Sequence, residues 1–173
     1  AGTHTVEVKD AYNCLISSTI NITEPVALEI TNVAVTHIAC TGGNTGAVDI
    51  TVAGGTTPYN YHWSNNKTTQ DINFLVAGTY AVTVTDTNGC STTTSALVNP
   101  RLTISTTKTN VTCNGAANGT ATVNISGGTA PHSIGWSNGA NTATITALAP
   151  GSYGVTVTDD VNCARTATLN ITQ

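Results

Sequence analysis

Gly78-Thr79-Tyr80-Ala81-Val82-Thr83-Val84-Thr85-Asp86-Thr87-Asn88-Gly89-Cys90 is the stretch whose reading decides the fold. Val82 and Val84 alternate with Thr83 and Thr85, the period-2 pattern of a half-buried strand with Val facing a core and Thr facing water. The run from Asp86 to Cys90 reads as a tight turn. An Asp side chain accepts bonds from the backbone N–H groups ahead of it, and Asn or Gly tolerates a positive φ. The stretch recurs as Gly151-Ser152-Tyr153-Gly154-Val155-Thr156-Val157-Thr158-Asp159, running on to Asn162-Cys163. A looser copy opens the chain at Gly2-Thr3-His4-Thr5-Val6-Glu7-Val8-Lys9-Asp10, followed by Asn13-Cys14. Three copies of one strand-and-hairpin unit make this a repeat protein.

Outward from that unit, Cys40–Cys90 aligns without gaps on Cys113–Cys163 at a spacing of 73 residues. Gly54-Gly55 falls on Gly127-Gly128, Pro58 on Pro131, Trp63 on Trp136 and Tyr80 on Tyr153. The spacing divides the chain into the end of a truncated repeat (1–25) and two complete repeats (26–100 and 101–173). Cys14 to Cys90 is a step of 76, and the extra residues are expected near the junction, where loops tolerate insertions. Since the first residues already lie inside a repeat motif, the chain reads as a fragment of a longer polypeptide, with any export signal outside it.

Within a complete repeat the expected strands are Leu28–Thr36, Val48–Val52, Tyr59–Trp63, a segment carrying Ile72 and Leu75, the organising strand, and a return strand ending before Pro100. Seven short strands in about 75 residues indicate an antiparallel sandwich. Leu75-Val76-Ala77-Gly78-Thr79-Tyr80, and Leu148 to Tyr153 after it, place a Leu, a Gly and a Tyr just before the penultimate strand. That spacing looks like the tyrosine corner of immunoglobulin-like domains, whose phenol bonds back to nearby backbone. His4 replaces the Tyr in the opening copy. Trp63 and Trp136 are expected as the large core residues of the facing sheet, beside Tyr80 and Tyr153. The fold class is therefore all-β, with tandem immunoglobulin-like sandwiches forming a linear rod.

Composition agrees and excludes several functions. Thr supplies 36 of 173 residues, while Met is absent and Phe occurs once, a mixture suited to strands and turns. A net charge of −4 with five Lys and Arg leaves no basic patch for nucleic acid. No apolar run approaches the roughly 18 residues of a membrane span.

Taken together, Cys…Gly-Gly-Thr-x-Pro…Trp-Ser-Asn…Leu-x-x-Gly-x-Tyr-x-Val-Thr-Val-Thr-Asp…Cys resembles the SprB-type repeat of gliding-motility surface adhesins. The second complete repeat departs from it at His132, where Tyr is usual. The resemblance implies an extracellular, cell-surface filament used in gliding motility or in gripping substrates.

The cysteines carry the main chemical signal and point to an oxidising compartment. Cys40–Cys90 and Cys113–Cys163 are equally spaced, so bonds within repeats are one solution, each contributing about 4 kcal/mol in the chain-entropy account. Sandwich topology offers another. It places Cys40 and Cys90 at opposite ends, ~25 Å apart, whereas bonded cysteines need Cα atoms within roughly 7 Å. End-to-end stacking would then join Cys40 to Cys163 and leave Cys14, Cys90 and Cys113 for partners outside the chain. Free thiols are the third alternative.

Other candidate chemistry is thin. Asp10, Asp86, Asp159 and Asp160 fall well short of the roughly six to eight oxygens a Ca²⁺ site needs, and read as turn formers. His4, His37, His62 and His132 occupy unrelated motif positions, and no nucleophile–base pair recurs, so neither an enzyme nor a metal or cofactor is expected. The expected function is structural and adhesive, with partners among neighbouring repeats, surface polysaccharide or other filament chains. The alternative is a carbohydrate- or protein-binding module using its loops, with Tyr59, Tyr61 and His62 as the candidate ligand loop.

Overall fold

The computed structural model describes all 173 residues and contains strands, turns and loops only. An isolated hairpin, β1 (Gly2–Lys9) and β2 (Leu15–Ile22), leads into two six-stranded sandwiches. The first sandwich comprises β3 (Glu29–Thr36), β4 (Gly46–Ala53), β5 (Asn60–Trp63), β6 (Ile72–Leu75), β7 (Gly78–Thr85) and β8 (Ser91–Val98). The second repeats the plan with β9 (Thr103–Thr109), β10 (Gly119–Ser126), β11 (Ser133–Trp136), β12 (Thr144–Leu148), β13 (Gly151–Thr158) and β14 (Ala164–Ile171). Sheets β3-β4-β6 and β5-β7-β8 face one another, as do β9-β10-β12 and β11-β13-β14.

Each sandwich has six strands, the six segments named from the sequence, and no seventh forms to make up the expected count. Between β5 and β6 the chain spends its polar groups on β4. The Asp71 carboxylate accepts from the Ile50 N–H (3.0 Å), and Gln70 Nε2 donates to the Ile50 carbonyl (2.7 Å). These side chains satisfy both backbone groups of a residue that β6, paired only with Gly46–Val48, does not reach.

The alternating Val residues do what the pattern predicts in the complete repeats. Val82, Val84, Val155 and Val157 are buried, and each sandwich has its own core. In the opening hairpin they do not: Val6 and Val8 are 59% and 58% exposed. Two strands alone have no facing sheet to cover the apolar side.

Trp63 is fully buried and Trp136 is 4% exposed, each indole donating to a backbone carbonyl (Thr69 and Thr142, both 2.9 Å). Their place differs from the expectation. Trp63 pairs with Val82 across β5 and β7, and Trp136 with Val155 across β11 and β13, so each lies in the same sheet as its Tyr.

Both tyrosine corners form: Tyr80 Oη donates to the Val76 carbonyl (3.0 Å) and Tyr153 Oη to the Ala149 carbonyl (3.1 Å). Tyr80 is buried and Tyr153 only half-buried. Tyr80→Phe is therefore expected to cost about 1 kcal/mol and Tyr153→Phe less, read from shifts in urea midpoint; equal costs would show that burial does not set the value of the bond.

One residue of the repeat length is a bulge. Thr31 is extra in β3, between the pairs Ile30↔Val52 and Asn32↔Thr51, and β9 has no such break. Phe74 and Ala147 are matched bulge residues in β6 and β12, both at φ 57°, with the Phe74 ring turned into solvent.

Candidate functional site

The chemistry of the chain concentrates where the sandwiches meet. Each sandwich has an end formed by its Gly-Gly turn and Asp hairpin, and an opposite end from which its first cysteine emerges.

At the hairpin end the Asp86 carboxylate organises three segments. Oδ1 accepts from the N–H groups of Asn88 (3.0 Å) and Cys90 (2.8 Å), while Oδ2 accepts from the Thr56 N–H (2.9 Å). Gly89 takes the left-handed conformation that closes the three-residue loop (φ 84°). Asp159 repeats the cage with Val161, Cys163 and Thr129, and Asn162 is the left-handed residue. Asp10 makes only the two local bonds, to Tyr12 and Cys14. The aspartates are thus turn formers that also tie the hairpin to the Gly-Gly turn.

The Thr56 N–H, with those of Cys90, Asn88 and Gly89, holds the Asp86 carboxyl below the usual carboxylate range, against the opposing effect of burial. A depressed folded-state pKa contributes stability that is complete above the ordinary carboxylate value and is lost as pH falls through the folded one. Unfolding midpoints should fall below about pH 4, and Asp86→Asn should flatten that acid limb. An unchanged acid limb in the variant would remove Asp86 as its source.

The Gly-Gly turn fastens the segment that enters each domain. Gly55 N–H donates to the Val26 carbonyl (2.7 Å) and Gly128 N–H to the Pro100 carbonyl (2.9 Å). The Tyr59 phenol donates to the Gly54 carbonyl, and His132 puts Nε2 3.1 Å from the equivalent Gly127 carbonyl. The departure at His132 therefore preserves a bond at the same carbonyl.

At the opposite end, Ile38 N–H donates to the Asn99 carbonyl (3.2 Å), and Asn99 N–H donates to His37 Nδ1 (3.1 Å). The second sandwich closes alike, through Val111 N–H to the Thr172 carbonyl and Thr172 N–H to Asn110 Oδ1 (both 3.1 Å). Cys40 and Cys113 leave from these closed ends.

The two ends meet at a disulfide between Cys40 and Cys163, with Cα atoms 5.5 Å apart. Of the alternatives open in the sequence, the structure thus has the inter-repeat bond and neither intra-repeat one; Cys14, Cys90 and Cys113 are free and exposed. Cys163 is 3% exposed, whereas Cys90, in the same kind of Asp cage, lies open. The difference is the neighbouring sandwich. Arg165 adds a polar bridge, with Nε donating to the Leu102 carbonyl of its own domain (3.1 Å) and Nη2 to the Cys40 carbonyl across the junction. Arg101 packs on Gly42, its Cδ lying 3.2 Å from where a Cβ would stand. Sequence reasoning missed both arginines. Thr92 occupies the position matching Arg165, so no periodic signal marks it.

The candidate ligand loop is used internally. Tyr61 Oη donates to Gln70 Oε1 (3.2 Å), and Tyr59 is held as described. Burial, with Tyr59 and Asp71 adding, pushes the Tyr61 phenol above its ordinary pKa. His62 follows Tyr61 in the strand and points to the other face. No group of three or more His, Cys, Asp or Glu side chains converges on a metal-sized site. No helix is long and apolar enough to cross a membrane.

Comparison with known proteins places this geometry. A family model described as the SprB repeat matches residues 32–68 and again 105–141, the front part of each sandwich and 73 residues apart. No protein of curated function matches the chain. Among solved structures, the C-terminal 282-residue fragment of intimin, crystallised with the intimin-binding domain of its translocated receptor, is similar at TM-score 0.51 and 14% identity. The match covers 82% of this chain, which spans 63% of that fragment. The N-terminal eight immunoglobulin domains of Down syndrome cell adhesion molecule match at TM-score 0.47 and 12% identity, over 99% of this chain and 28% of that one. An amphioxus IgVJ-C2 molecule matches at 0.41 and 16%, over 99% and 97%. Two facing antiparallel sheets with a tyrosine corner before the penultimate strand make each sandwich immunoglobulin-like.

Proposed function

From a chain that carries two SprB repeats, we propose that this protein is a structural and adhesive segment of a long cell-surface filament of the kind used in gliding motility. The observation that carries the reading is the clasp from Cys40 to Cys163. It joins successive domains covalently, which suits a filament held outside the cell, where disulfides persist. The reading is non-enzymatic: the polar side chains that the sequence singled out are spent on turns, corners and junctions. The loop-binding alternative is the less favoured reading, because the Tyr59 and Tyr61 phenols each already donate within the domain.

Antibody raised against residues 26–173 should label intact, unpermeabilised cells that produce the chain. External protease should remove the label, and Fab fragments should reduce attachment or movement on glass. Labelling that requires permeabilisation would sink the surface assignment, and labelled cells indifferent to Fab would sink the adhesive one.

A further inference from the structure

We propose that the Cys40–Cys163 disulfide is a tension bypass, a covalent cable that keeps the body of both sandwiches out of the stretched path. The inference deepens the filament reading and rests on it for its biological sense, although its physics depends only on this chain.

The argument follows the route of a pulling force. Tension entering from the N-terminal side passes along β3, which is already extended, and reaches Cys40 four residues after the strand ends. There it has two covalent routes. One runs through β4–β8, the Pro100 junction and β9–β13. The other crosses two sulfur atoms to Cys163 and continues directly into β14. The second is shorter by the 123-residue separation of the two cysteines, so it becomes taut first and carries the force.

The placement of the ends makes this cable straight. β3 begins at the Gly-Gly end of the first sandwich, where Gly55 holds Val26, and finishes at the closed end, where Ile38 meets Asn99. β14 begins at the caged hairpin end of the second sandwich and finishes where Thr172 meets Val111 and Asn110. Both strands therefore run the same way along the stack. Both are also edge strands of their sheets. A strand at roughly 3.3 Å per residue has almost no slack to release, so force along it does little work on its neighbours. Every residue from 41 to 162, including most of both cores, is enclosed in the protected loop. Arg165, bonded to carbonyls on both sides of the junction, stands beside the crossing and holds the domains in register there.

The test stretches the whole chain by handles at its two termini, in a single-molecule instrument. The free thiols are first removed as Cys14→Ser, Cys90→Ser and Cys113→Ser, so that only the clasp can form. The oxidised chain should show no domain-sized steps. Reductant added to the same folded molecules should restore two steps, one per sandwich, that together add about 400 Å of contour length. Domain-sized steps in the oxidised chain would overturn the proposal. So would a thiol titration of the folded, unreduced parent chain that finds five reactive thiols instead of three. Because the readout is made on purified protein, a failure here leaves the surface assignment standing, and a failure of surface labelling leaves the bypass standing.

Discussion

Reduction of the Cys40–Cys163 bond is expected to lower the summed unfolding free energy of the two sandwiches by about 5 kcal/mol. The bond closes a loop spanning 123 residues of sequence separation, and in the chain-entropy account the gain grows slowly with that length. Most of the effect lies in the unfolded state, whose freedom the bond restricts. The native contacts at the junction include Arg165 to Cys40, Arg101 against Gly42, and the cysteines themselves. Each sandwich keeps a separate core after reduction, so the reduced chain should still fold and should melt in two transitions. Guanidinium unfolding curves with and without a phosphine reductant measure the difference, and Cys163→Ser should reproduce it. A loss below about 1 kcal/mol, the scale of a single exposed polar contact, would mean that the bond does not constrain the unfolded chain.

That clasp also marks where sequence stops being informative. Strands, hairpins and tyrosine corners are local features. Val82-Thr83-Val84-Thr85 shows its period within four residues, and Gly78 to Tyr80 carries the corner, so both were legible. Cysteine pairing is not local. The equal Cys40–Cys90 and Cys113–Cys163 spacings fit bonds within a repeat as well as bonds between repeats. What decides is that Cys40 leaves the closed end of one sandwich and Cys163 sits at the hairpin end of the next, a fact of stacking. The placement of Trp63 failed for a similar reason. Its size and periodicity mark it as core, but whether β5 pairs beside β7 or lies opposite it is a matter of strand order. The burial expected for Val6 and Val8 assumed a facing sheet that the hairpin does not have.

Polar side chains that replace backbone partners were equally hidden. Gln70 and Asp71 serve Ile50, and His37 and Asn110 serve the closing residues Asn99 and Thr172. The last two sit at matching positions, yet a His and an Asn share no pattern a sequence comparison would flag. Each offers one acceptor to one N–H, and that is all the position requires.

Gly54→Ala should cost at least about 3 kcal/mol, and the reason separates two effects that glycine substitutions usually mix. Gly54 has φ 71°, so any L side chain there is strained. In addition, a Cβ would stand 1.9 Å from the Ala27 carbonyl oxygen and 2.8 Å from its carbon. Those atoms belong to the segment entering the domain, which Gly55 holds through Val26, so relief requires that segment to move away. Gly127 repeats the arrangement, its Cβ position lying 2.3 Å from the Arg101 carbonyl oxygen. There the displaced segment is the junction itself, next to the clasp. Gly43 supplies the control, with φ 91° and nothing within 4 Å of its Cβ position, so Gly43→Ala meets only the backbone penalty of about 1–2 kcal/mol. Urea midpoints of the three variants should therefore rank Gly54→Ala and Gly127→Ala well below Gly43→Ala. Three equal losses would show that the Gly-Gly turn is selected for its left-handed backbone alone, and that the close approach of the entering segment has no energetic weight.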